Sequence, residues 1–210
     1  MLRGKIPAPL ELDTFEGQAW IGVVPFRMSG VRLRGTPAIP FLSAFPELNV
    51  RTYVVAEGKP GVWFFSLDAA NRIAVAAARA WFHLPYFRAR MSCEERGGWI
   101  EYRCGRAHRG APCGVFSGRY RPTGEVFSAR AGSLEHFLTE RYCLYAMKER
   151  GEVLRGEIHH APWALQPAEA EFGSNTMPEA DGVYVPPAKP LLHFSHRQDV
   201  VVWNPRRITS

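Results

Sequence analysis

The apolar positions of this chain fall in short runs rich in Val, Tyr, Phe and Trp and bounded by Gly or Pro, which is the spacing of strands and turns. AWIGVVPF (19–26), LNVRTYVV (48–55) and GVWFFSLD (61–68) predict the first three strands. The second alternates cleanly: Leu48, Val50, Thr52 and Val54 share one face, and Asn49, Arg51 and Tyr53 share the other. That polar row either lines an interior or meets solvent, and periodicity leaves both open. From 71 to 83 the period becomes helical. NRIAVAAARAWFH has no internal Gly or Pro, Asp68 or Asn71 can cap its start, and Leu84-Pro85 ends it. Alanine on every side predicts a helix packed tightly against a sheet. Arg79 is then the odd residue, because its guanidinium must reach water or find a carboxylate.

Further strands are predicted at YFRARMSC, WIEYRCGR, VFSGRYRP, CLYAMKE and VLRGEIHH, with Glu149-Arg150-Gly151 as a hairpin turn between the last two. SLEHFLTERY reads as a second, short helix with Ser133 as its N-cap. The stretch 173–190, rich in Pro, Gly and Asn, reads as a long loop, and DVVVW (199–203) as a buried closing strand. No internal repeat is visible. The pattern as a whole predicts one α+β, mostly β domain over 1–210, with one main helix and one short one.

Composition fits that size. A chain of 210 residues that is 46% hydrophobic can bury one full core. The first ten residues hold no apolar run of signal-peptide length and no later stretch is a membrane span, so the expected compartment is the cytoplasm, with no membrane partner. Cys93, Cys104, Cys113 and Cys143 are spaced by 11, 9 and 30 positions, which matches neither a zinc knuckle nor a disulfide framework. The net charge of +6 invites a nucleic-acid reading, but only 4 of the 26 basic residues are lysine, and the arginines are scattered among acids. No nucleic-acid partner is expected.

Nor does the chain carry a nucleophile elbow, a phosphate loop or a dinucleotide fingerprint. No cofactor is called for. His159 and His160 follow Glu157 in GEIHHAPW, yet adjacent strand residues face opposite ways, so only His159 shares a face with Glu157. A structural histidine is the plainer reading, no metal site is assigned, and His159 stays a candidate acid or base. His193 and His196 rank below it.

Taken together, ELDTFEGQAWIGVVPFRMSG, SAFPELNVRTYV, FFSLDAANRIAVAAAR, HLPYFRARM, SLEHFLTERYCLYA and EIHHAPWALQPAE resemble the signature blocks of the YqjF-like domain family (DUF2071), a bacterial family of unknown function. The resemblance runs from about Leu10 to Trp203. That family in turn resembles the acetoacetate decarboxylase superfamily, which implies a largely antiparallel β barrel around an interior pocket. It favours the inward reading of Asn49, Arg51 and Tyr53. The decarboxylase pattern places Arg-Glu on a helix and then Pro-Lys-Lys, one lysine forming a Schiff base while its cationic neighbour lowers its pKa. Here Arg79 and Pro85 match, but Ala80 stands for the glutamate, and Tyr86 and Phe87 stand for the lysines. Neither can form an imine, and Lys5, Lys59, Lys148 and Lys189 lie near the N-terminus or in turn-like segments. The resemblance also implies a further strand ahead of Leu10, so an unpaired sheet edge and a homo-oligomer are open possibilities.

Three functions remain. One is a binding protein for a small organic acid, walled by Trp81, Tyr86, Phe87 and Trp163 and anchored by Arg51 and Arg79. Another is a lyase or isomerase on a keto or enol compound, with Tyr86 or His159 as acid or base. The last is a structural or interaction protein with a filled interior.

Overall fold

The computed structural model describes residues 2–30 and 44–208. After a 3-10 turn at Leu2–Lys5 come β1 (Glu11–Leu12), β2 (Ile21–Met28), β3 (Phe45–Ala56), β4 (Lys59–Ala69), α1 (Arg72–Phe82), β5 (Tyr86–Arg96), β6 (Trp99–Arg106) and β7 (Val115–Pro122). The chain continues through β8 (Phe127–Ser128), α2 (Leu134–Thr139), β9 (Cys143–Met147), β10 (Val153–His160), β11 (Ala164–Asn175), α3 (Met177–Ala180), β12 (His193–Phe194), β13 (Val200–Val202) and β14 (Arg206–Arg207).

All strands belong to one sheet with the path β12-β11-β7-β6-β5-β4-β9-β10-β13, and β3 lies on the other edge of β4 beside β1 and β2. The fold is mostly β as predicted, but its strands form a large curled sheet that does not close into the barrel that the resemblance implied. Among the described residues no pairing joins β12 to β13, the two ends of that path, and β5 and β9 both pair with the same edge of β4, so the sheet forks there.

Curling covers β3 on both faces. Leu48, Val50, Thr52 and Val54 are fully buried on one face, while Tyr53 and Asn49, only 2% and 5% exposed, are buried on the other. Neither polar nor apolar alternation therefore tracks exposure in this strand. Gly61 marks a close approach: a Cβ there would sit 2.6 Å from Cys143 Sγ and 2.7 Å from its carbonyl oxygen.

Asn71 caps α1, its side chain accepting from the amides of Ile73 and Ala74 at 3.0 and 3.1 Å, and His83 ends it in the left-handed region at φ 54°. The tight packing predicted for this helix is not found. Val75 is its one buried residue, Ala76, Ala77 and Ala80 are exposed, and Trp81 is 58% exposed. Small side chains can serve close packing or leave open space, and here they leave space. Ser133 caps α2 through the His136 amide.

Three segments differ from expectation. β11 occupies 164–175, where Ala and Glu alternate without β-branched residues. Its register is made by cross-strand pairs, Glu171 opposite Arg119 and Glu169 opposite Arg121 on β7. The predicted loop at 173–190 contains the end of that strand and α3. The closing strand, β13, is an exposed edge, with Val200, Val201 and Val202 each more than two-fifths exposed. Among the described residues no helix is long and apolar enough to cross a membrane.

Candidate functional site

The fork in the sheet creates a broad cleft. Val62 and Trp63 of β4 pair with β9, and Leu67, Asp68 and Ala69 pair with the start of β5. Phe64, Phe65 and Ser66 fall between those two ladders. The parallel β4–α1–β5 crossover carries α1 past this gap, and the cleft beneath it has a volume of about 1120 Å³. Phe64, Phe65 and Phe87 supply apolar surface, Ala76 and Ala80 of α1 form one side, and Arg88 with the His108-Arg109 turn forms the other.

One polar edge of the cleft is a buried charge network. Arg106 donates to both Asp68 carboxylate oxygens at 2.9 and 2.8 Å and to Asp181 at 2.8 Å, and the Ser66 hydroxyl donates to Asp181 at 2.6 Å. The Arg106 and Asp68 side chains are at most 1% exposed. Burial raises the pKa of Asp68, opposed by the Arg106 guanidinium. Phe87 lies under that guanidinium at 4.3 Å. The network braces the segment after α3 against β4 and β6, and it neutralises Arg106 in doing so.

The rim is different. Lys5, Arg72, Arg79, Arg88 and Arg109 all line the cleft, while Glu149 and Asp181 are its carboxylates. Among the described residues no carboxylate lies within ion-pair distance of Arg72, Arg79, Arg88 or Arg109. Of the two outcomes open to it in the sequence, Arg79 takes solvent: it is exposed, and its Nη1 also donates to the Tyr86 carbonyl at 2.8 Å. Concave walls with low dielectric focus such a field toward anions.

Tyr86 and Phe87 are neighbours in β5 and point to opposite faces. Phe87 faces the cleft, beside Asp68. Tyr86 turns to the other face, where its hydroxyl donates to Glu47 Oε2 at 3.1 Å. Glu47 is 2% exposed. Burial pushes its carboxyl up to about 8, against the Tyr86 hydrogen bond, and the Asp68 charge adds to the rise. The Tyr86 phenol is raised as well, by burial and then by Glu47.

The other sequence candidates lie elsewhere. Asn49, Arg51, Tyr53 and Trp163 do not line the cleft. Arg51 Nη2 donates to the Leu138 carbonyl at 3.4 Å and the Trp163 amide to the Glu140 carboxylate at 3.2 Å, so both meet the C-terminal end of α2. Among the described residues the buried side-chain atoms without a partner are Trp20 Nε1, Asn49 Oδ1, Arg51 Nε and Trp163 Nε1, a hydrogen-bonding capacity left unused in the interior. Trp81 stands in solvent, a correction to its proposed place in a pocket wall. His159 is exposed, so the Glu157/His159 face is the outer one. His160 is the buried histidine, stacked on Tyr142 at 4.6 Å with its ring nitrogens 2.8 and 3.2 Å from the carbonyls of Ala161 and Arg141. Lys59 and Lys148 are ion-paired with Glu157 and Glu152, whereas Lys5 reaches the cleft, a placement its terminal position did not signal.

Sequence reasoning missed Glu47, Ser66, Asp68 as a network member, Arg106, Asp181 and the rim arginines 72, 88 and 109. The available signal was Ser66 and Asp68, two polar residues on one face of an otherwise apolar strand.

Residues 1–199 match DUF2071, described as an uncharacterized conserved protein. This chain belongs to that family. It is 48% identical over 207 residues to the uncharacterized protein YqjF of Bacillus subtilis (strain 168), covering 99% of this chain and 84% of that one. In fold the DUF2071 chain is similar to the acetoacetate decarboxylase of Legionella pneumophila, with a TM-score of 0.60 at 12% identity over 99% of this chain and 79% of that one. It is also similar to the enduracididine biosynthesis enzyme MppR complexed with pyruvate, with a TM-score of 0.55 at 11% identity over 98% of this chain and 80% of that one.

Proposed function

We propose that this DUF2071 protein binds a small organic acid in the fork cleft, with Arg79 as an anion anchor and Phe87 as an apolar wall. The observation that carries the reading is a cleft lined by four arginines that have no carboxylate partner among the described residues. An arginine fork matches a carboxylate through two parallel hydrogen bonds, and the aromatic surface gives the ligand body somewhere to go. The pyruvate complex of MppR, a protein of similar fold, is in keeping with a ligand of this class. Imine chemistry finds no support at the two positions that resemble the decarboxylase lysines, because they are Tyr86 and Phe87.

A thermal-shift panel of small carboxylic acids tests this. A ligand at about 100 times its dissociation constant adds about 2.7 kcal/mol to stability. At least one acid should raise the melting temperature of the wild type and lose most of that effect with R79A/R88A. No shift across the panel, or a shift that the double substitution leaves intact, overturns the proposal.

The Glu47–Tyr86 pair favours a second reading, an enzyme of the lyase or isomerase type. A carboxyl pushed up to about 8 holds its proton at neutral pH, so beside the Tyr86 phenol it can act as an acid toward a carbonyl oxygen, and as a base toward an α-proton once pH passes about 8. Leu84 borders the cleft and packs in the same core cluster as Tyr86, so the two regions adjoin. This reading expects slow exchange of α-protons of a keto acid in deuterated water, followed by NMR and lost in Tyr86→Phe and Glu47→Gln. Exchange no faster than buffer rules it out.

A further inference from the structure

The charge on the cleft rim is more than one carboxylate can use. A single guanidinium satisfies a carboxylate bidentately, yet four arginines have no acidic partner among the described residues, with Lys5 beside them. Arg106 is not among the spare charges, since Asp68 and Asp181 hold it. Asp181 is likewise engaged, which leaves Glu149 as the one other acid on the lining.

The spare arginines stand in two groups. Arg72 and Arg79 are seven residues apart on α1, close to two full turns, so they lie on one side of the helix about 10 Å apart along its axis. Arg88 and Arg109 belong to the opposite wall. Their segments are tied together where the Ala107 amide donates to the Arg88 carbonyl at 2.8 Å and the Arg88 amide to His108 Nδ1 at 3.2 Å. Between the groups the lining is apolar: Ala76 and Ala80 on the helix, and Phe64, Phe65 and Phe87 below. Like charges held together in a concavity repel, and an anion that bridges them relieves the repulsion in proportion to its charge.

Resting on the reading that the cleft binds organic acids, we infer that its ligand class is an organic anion carrying at least two negative charges on a flat apolar body. A dicarboxylate and a phosphate monoester share that chemistry. Arg79 takes one end, and the Arg88/Arg109 wall distinguishes a second charge from none.

Calorimetric titration of the full chain with benzoate, phthalate and phenyl phosphate, above the second phosphate pKa of about 6, separates the cases. At low salt phthalate or phenyl phosphate should bind about tenfold tighter than benzoate or better, the size of one added charge-assisted hydrogen bond. Which of the two gains more distinguishes a carboxylate from a phosphate source. The advantage should shrink as salt is raised. R88A/R109A should remove it, so that on this variant neither dianion binds tighter than benzoate does. Benzoate binding with no gain for either dianion overturns this inference alone, as does a gain that survives R88A/R109A. Absence of binding by all three overturns it together with the reading beneath it.

Discussion

Replacing Glu47 with glutamine keeps the shape of a buried side chain, and its ability to accept from Tyr86, while removing its titration. Below pH 4.5 the wild-type carboxyl is protonated in both the folded and the unfolded chain. Between pH 4.5 and about 8 the unfolded chain releases that proton while the folded chain retains it, so this group makes stability fall as pH rises. Each pH unit within that window costs about 1.4 kcal/mol, so the deficit reaches about 3 kcal/mol by pH 7 and levels off toward about 4 kcal/mol at pH 8, where the folded carboxyl is half-ionised. Glu47→Gln has no such loss. Guanidinium chloride unfolding of both proteins from pH 5 to pH 8 should give a stability difference that moves steadily in favour of the variant. A difference that is flat with pH, or that moves toward the wild type, refutes the buried, proton-holding role given to Glu47.

Arg106→Ala leaves Asp68 charged and buried without its partner and should cost about 3–5 kcal/mol in chemical denaturation. Asp181→Asn leaves the Arg106–Asp68 pair in place and should cost less, about 1–3 kcal/mol, so equal losses would contradict the division of roles. Gly61→Ala forces a Cβ into the Cys143 sulfur and backbone and should cost about 1–3 kcal/mol by the same measurement. Trp81→Ala, on the exposed side of α1, should change stability by no more than about 0.5 kcal/mol and leave acid binding unaltered in a thermal-shift titration.

The strands and the long helix were legible because they rest on local signals. Asn71 and Ser133 cap where their hydroxyl-like or amide oxygens allow, and β6, β7 and β10 begin and end at the predicted residues. What local signals cannot carry is which strands share an edge. The fork at β4 depends on β5 and β9 meeting one strand from segments about 60 residues apart, and no periodicity reports that. The alanines of α1 were read as close packing because composition alone does not separate a small side chain that touches a neighbour from one that borders a cleft. Asp68, Arg106 and Asp181 are distant in sequence and become a network only through the fold. β11 was missed because its pairing comes from Arg119 and Arg121 on another strand rather than from its own β propensity.

The proposed function depends on the fork cleft receiving an organic acid. Amide chemical-shift mapping of the isotope-labelled protein during a benzoate titration examines it directly. Saturable shifts centred on Ala76, Ala80, Phe87 and Ala107 are the predicted result. Shifts confined to the β10–β13 end of the sheet, or none at saturating benzoate, would contradict it.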